Sequence, residues 1–129
     1  MTVEDILKGM PYARFLGITA REKESRLWTC MAFRDALVGN HRLPAIHGGV
    51  VGAFLEMAAI LEVVHQTQGE RIPRPINFNV NYLRTARPLD CIAEAEVVKL
   101  GKRVAHVRAI GWQDDPTRPF AEGSGNFLV

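Results

Sequence analysis

The stretch Ile46-His47-Gly48-Gly49-Val50-Val51-Gly52-Ala53-Phe54-Leu55-Glu56-Met57-Ala58-Ala59-Ile60-Leu61 constrains this chain more than any other. It reads as a helix that is apolar on nearly every side, runs to about Gln66 and is stopped by Gly69. Such a helix has no broad face for water, so the rest of the fold must cover it. One carboxylate, Glu56, breaks the apolar surface, and burying a carboxylate is costly unless something compensates it. The paired glycines leave backbone N–H groups at the helix start, open to an incoming oxygen. An acid and an oxyanion donor on one element suggest acyl chemistry.

The flanking residues supply the cover. Residues 3–16 read as a short amphipathic helix and a second turn begun at Pro11 and ended at Leu16-Gly17. Ile18 to Phe33 suits a hairpin with Glu22-Lys23-Glu24-Ser25-Arg26 at its tip, and Asp35 to Ala45 an irregular connection. After Pro73 everything reads as strand. Ile76, Phe78, Val80 and Tyr82 alternate with Asn77, Asn79 and Asn81, a period of two. Arg87-Pro88-Leu89-Asp90 turns into strand 91–100, Gly101-Lys102 into strand 103–113, and Asp114-Asp115-Pro116-Thr117 into strand 119–128. Short connections predict an antiparallel meander of these late strands. Ala105, Val107, Ala109 and Gly111 share one strand face, as do Ala121, Gly123, Gly125 and Phe127, leaving room for a helix, a second subunit or a ligand. The expected fold is α+β: one domain over residues 1–129, with a long helix wrapped by a curved antiparallel sheet of five to six strands.

Sixteen basic against fourteen acidic residues is too even for a nucleic-acid footprint. Cys30 and Cys91 have no metal-type spacing and read as reduced structural thiols; the histidines are scattered, so no metal site is expected. No glycine-rich phosphate loop follows a strand. The first residues lack a signal-peptide pattern, and Glu56 and Glu62 interrupt the one near-membrane-length apolar run. A cytoplasmic protein with no membrane partner is the expectation.

Gly39-Asn40, then Pro44-Ala45-Ile46-His47-Gly48-Gly49-Val50 and Glu56, resemble the hotdog-fold acyl-CoA thioesterases, especially their phenylacetate-pathway-like branch. Tyr82-Leu83-Arg84-Thr85-Ala86, Gly101-Lys102-Arg103 and Ala121-Glu122-Gly123 agree with it. The resemblance implies hydrolysis of an acyl-CoA, with CoA entering as part of the substrate and no other cofactor. It implies Gly48 as the oxyanion donor, beside Gly49, and Glu56 as general base or nucleophile. Asn40 would orient water or the carbonyl, although it lies seven residues before His47 where many relatives have six. His47 is either a contact to the carbonyl region or a capping residue.

From the residues themselves, Glu56 has Gly52, Ala53, Ala59 and Ile60 three and four positions away, all apolar. Glu62 falls on another face, with His65 and Gln66 on a solvated stripe; His65 and His106 read as surface residues. An apolar lining from Phe54, Ile60 and Phe78 suits a medium-chain or aryl acyl group. Asn77 is either an assisting group or a solvent-facing strand residue. Arg84 and Arg87, with Lys99, Lys102 and Arg103, form the best cationic cluster for the phosphates of CoA.

The helical rise adds a constraint. Gly48 and Glu56 are eight residues apart, about 12 Å along one helix. One chain cannot bring both to the same thioester, so joint action requires Gly48 of one subunit and Glu56 of its partner. The expectation is a homodimer with composite active sites, and a dimer of dimers as the higher assembly. The rival readings are a 3-hydroxyacyl-CoA hydratase or dehydratase using His41 with Glu56, and a non-catalytic acyl-CoA-binding module.

Overall fold

The computed structural model describes residues 1–129. Helix α1 (Val3–Lys8) starts at a reciprocal cap: the Thr2 hydroxyl accepts from the Asp5 N–H, and the Asp5 carboxylate accepts from the Thr2 N–H. Helix α2 (Pro11–Leu16) opens on a proline and closes at Gly17, whose φ of 74° is a left-handed cap. Strands β1 (Ile18–Lys23) and β2 (Arg26–Met31) form the expected hairpin, turning through Glu24 and Ser25, both at positive φ. A 3-10 turn (Asp35–Leu37) leads into a two-stranded ribbon, β3 (Val38–Asn40) and β4 (Ala45–Ile46), where the sequence suggested only irregular chain. Then come α3 (Gly48–Gln66), β5 (Arg74–Tyr82), β6 (Cys91–Leu100), β7 (Val104–Trp112) and β8 (Ala121–Leu128).

The six long strands make one antiparallel sheet in the order β1-β2-β6-β7-β8-β5, and α3 lies in its hollow. By length and composition α3 is apolar enough to cross a membrane, but ten of its residues are buried within the fold. Phe54, Leu55, Leu61, Val63 and Val64 meet Leu27, Met31, Ala93, Val107, Ala109 and Phe127, all buried. The small-residue faces of β7 and β8 receive the chain's own groups. Leu55 and Phe120 pack over Gly111, and the Phe78 ring over Gly123 and Gly125. A Cβ on Gly123 would stand 2.7 Å from that ring.

The meander holds for β6, β7 and β8 but not for β5, which pairs with β8 at the far edge instead of with β6. Arg87–Asp90 is thus not a tight turn between neighbours. Residues 83–90 step across the ends of β8 and β7, a lateral distance of about 14 Å at ~4.8 Å per strand. This crossing is tied down by backbone bonds from Leu83 and Arg84 to Phe120, by Arg87–Asp114 at 2.9 Å, and by the Gln113 amide on the Arg87 carbonyl.

Glu62 also departs from expectation. It is half-buried where β2 diverges from β6, and forms no ion pair or side-chain hydrogen bond. Burial first, and then Glu94, raise its carboxyl to about 7, opposed by Arg26. Glu94 is itself held by the Arg26 guanidinium and the Trp28 indole N–H. Between the ordinary carboxylate value and pH 7, the folded chain therefore binds more protons than the unfolded one, and stability falls as pH rises through that window. Glu62→Gln is expected to raise Tm at pH 8 by a few degrees. That corresponds to about 1 kcal/mol after discounting for solvent screening. The difference should vanish below about pH 4.5, which melting curves across pH would check.

Candidate active site

The site is built at the N-terminal end of α3. Backbone bonds from His47 to Leu37 (2.9 Å) and from Ile46 to Ala86 (2.9 Å) hold the chain entering the helix. His47 is the N-cap: its Nδ1 accepts the Gly49 N–H at 2.9 Å. A neutral imidazole accepting at Nδ1 carries its proton on Nε2, leaving that N–H to donate. Gly39 makes this placement possible, because a Cβ there would lie 2.8 Å from the His47 ring. Gly49 therefore spends its N–H on the cap and is not a donor to substrate. The Gly48 N–H heads the helix with no acceptor inside it, at an exposed position.

Tyr82 is the residue that the sequence did not expose as part of the site. From β5 its hydroxyl donates to the Gly48 carbonyl at 2.8 Å; its ring lies against Gly48, and the hydroxyl also reaches the side of Gly52. The Gly48–Gly49 peptide is thus clamped at both ends, its oxygen by Tyr82 and its N–H by His47. Alternation identified Tyr82 as an apolar-face strand residue; a hydroxyl-to-backbone bond across 34 residues leaves no trace in local pattern. Tyr82→Phe is expected to lower kcat about five- to tenfold with little change in KM, as for one hydrogen bond lost behind the donor.

Glu56 lies two turns along the same helix, half-buried, with no hydrogen bond or ion pair. Burial alone raises its carboxyl above the ordinary carboxylate range. Gly49, Gly52, Ala53 and Glu56 form one incompletely buried stripe at helical spacing. The stripe faces the β5 side, where Val80 and Tyr82 pack over Gly52.

The remaining candidates divide. Asn40 is exposed on the ribbon ahead of the helix, and its Oδ1 accepts the Arg42 N–H in a local turn. Asn77 is on the sheet face opposite α3; its Oδ1 accepts the Asn126 backbone and side-chain N–H groups, so it does not assist Glu56. His106 joins the same polar row through Asn126 and is only half-exposed. Phe54 is fully buried and Ile60 nearly so, both as core, and Phe78 covers the glycines of β8. None of the three lines an acyl pocket within one protomer.

The cationic cluster is split as well. Arg84 lies beyond Tyr82 at the Gly48 end of the sheet. Lys102 and Arg103 lie at the other end, beside Val129, with the Arg71 guanidinium on the Gly101 and Lys102 carbonyls. The separation along β5 is roughly 27 Å at ~3.3 Å per residue. Beside Gly48 a cleft of about 430 Å³ opens, lined by Leu43, Ile46, Val51, Leu83, Arg84 and Ala86 among others.

The sequence profile of the thioesterase superfamily matches residues 43–120, which span the helix, its acid and most of the sheet. The chain belongs to the thioesterase superfamily and is a thioester hydrolase of the hotdog fold. It is 32% identical over 114 residues to the medium/long-chain acyl-CoA thioesterase YigI of Salmonella typhimurium, covering 77% of this chain and 73% of that protein. Its fold is similar to that of a phenylacetic acid degradation-related protein of Ralstonia eutropha JMP134 (TM-score 0.84, 21% identity, all of both chains). It also matches a Bacillus halodurans protein solved with CoA (TM-score 0.80, 22% identity, 98% of this chain and 87% of that one).

Proposed function

We propose that this protein hydrolyses medium-chain or aryl acyl-CoA to the free acid and CoA, as a cytoplasmic homodimer with two composite sites that consumes no further cofactor. The observation that carries the reading is a half-buried, unpartnered Glu56 two turns from an unoccupied helix-start N–H at Gly48. In this mechanism the thioester oxygen rests on the Gly48 N–H, at the positive end of α3. Glu56 of the partner takes a proton from water as it attacks the carbonyl carbon; alternatively its carboxylate attacks directly and water opens the anhydride. Collapse of the tetrahedral intermediate expels the CoA thiolate, which takes up the proton.

The two edges of the sheet support the dimer. Outer strand β1 carries Arg21, Glu22 and Lys23, the charges that keep an edge from pairing. Outer strand β5 offers nine residues of free edge flanked by Ile76 and Tyr82, 57% and 58% exposed. A second copy pairing there about a two-fold axis would cover those side chains and the Glu56 stripe together. The test is release of free thiol from a panel of medium-chain and aryl acyl-CoAs. Turnover that exceeds the uncatalysed rate and is retained only in a dimeric fraction is expected. A protein that binds these esters without releasing thiol would be a binding module instead.

A further inference from the structure

Strands β1 and β2 pair along their whole length, but the hairpin they make joins the rest of the sheet only where Thr29, Cys30 and Met31 face Ala93, Ile92 and Cys91. Beyond that short ladder its tip is undercut on both sides. A cleft of about 570 Å³ separates Ser25, Arg26 and Leu27 from residues 94–97 of β6 and reaches Glu62 and Gln66 on α3. A cleft of about 720 Å³ on the other side lies between Arg21 and Glu22 of β1, residues 64–66 of α3 and the first residues of the chain. Leu27 and Gln66 line both. Three polar contacts bridge the gaps. Arg26 pairs with Glu94 at 2.8 Å, the Trp28 indole N–H donates to Glu94, and Glu22 lies 3.8 Å from His65.

We propose that the β1–β2 hairpin is a flap hinged at Thr29–Met31, and that loss of the Glu62 proton releases its tip from α3 and β6. The charged groups around Glu62 are Arg26 on β2, Glu94 and Glu96 on β6, and Arg108 on β7. Its own helix adds His65, which faces Glu22 of β1, while Glu4 of α1 lines only the other cleft. In the closed arrangement Glu62 has no hydrogen bond, and the cation that favours its charged form, Arg26, is already engaged by Glu94. An ionised Glu62 is therefore served best by water, which enters as the tip swings out. The closed flap keeps the proton up to about pH 7, whereas an open flap gives it up near the ordinary carboxylate value of 4.5. Opening thus becomes more favourable as pH rises between those two values and levels off above them. The Glu22–His65 attraction, which needs a protonated imidazole, weakens in the same direction.

Amide hydrogen exchange, corrected for the intrinsic rate at each pH, reads the opening at the amides bonded across the hinge ladder. Urea below the unfolding range separates that opening from global unfolding. Hinge protection in the wild type should fall at least about tenfold between pH 5 and pH 7, since one proton allows up to about tenfold per pH unit. The fall should be nearly independent of urea, because the flap exposes little surface. In Glu62→Gln it should shrink to about threefold at most, the share that an exposed Glu22–His65 pair supplies. In His65→Gln it should persist. A fall that survives in Glu62→Gln and disappears in His65→Gln overturns the proposal, as does hinge protection that does not change with pH. Hinge amides that carry the full urea dependence of the β7–β8 ladder also overturn it, because Glu62 then meets water only when the whole fold is lost.

Discussion

Glu56→Gln removes turnover: kcat is expected to fall by roughly 10³-fold or more, the range for a lost base or nucleophile. Affinity for the acyl-CoA, measured by calorimetry, should stay within a few-fold of wild type. The variant isolates chemistry from folding because Glu56 has no hydrogen bond or ion pair to lose. Its burial already disfavours the charged form, so a neutral amide of the same shape does not destabilise the helix. In the active protein the same burial places the acid limb of the kcat/KM profile above the ordinary carboxylate range. Retention of near-normal kcat in Glu56→Gln would remove the carboxylate from the mechanism.

The second large effect concerns the donor. Gly48 is the first residue of α3, where proline is well tolerated, and His47 before it has φ −57° and ψ 134°, a conformation compatible with a following proline. The atoms nearest to a Cβ at Gly48 are the Tyr82 ring edge and hydroxyl at 3.6 Å, ordinary contact. Gly48→Pro thus deletes one N–H with little change of backbone, and kcat should fall about 10²- to 10³-fold. Mixing Gly48→Pro with Glu56→Gln chains then tests the composite site. A heterodimer holds one site with both lesions and one with neither. Random exchange of equal amounts should restore about a quarter of wild-type activity. No recovery in a verified heterodimer would show that each site is complete within one chain.

Much of this was legible in the sequence because it depends on local period and local chemistry. The Gly48–Gln66 helix, the hairpin at Ile18–Met31 and the strands after Pro73 follow from apolar spacing, glycine stops and turn residues. Glu56 and Gly48 were legible for a similar reason: a lone acid in an apolar helix and a glycine pair at its start are unusual in themselves. The capping alternative for His47 was also open to inspection, two residues before a free N–H.

Partners distant in sequence were not legible. The pairing of β5 with β8 rather than β6, the split of Arg84 from Lys102 and Arg103, and the burial of Glu62 beneath the β2–β6 opening depend on which edges meet. A short turn motif describes a bend and says nothing of how far sideways the chain then travels. Phe54, Ile60 and Phe78 illustrate the same limit, since apolarity cannot tell a core position from a pocket wall.

The sequence by itself determined the elements, the reactive pair on one helix and, through the fixed rise per residue, the distance that separates them. Tertiary structure alone decided that Tyr82 and His47 clamp one peptide, that Asn77 faces away from the acid, and that β5 is left as an open edge. The reason is physical: periodicity and helix geometry act over a few residues, whereas hydrogen bonds and burial between remote segments exist only once the chain has packed.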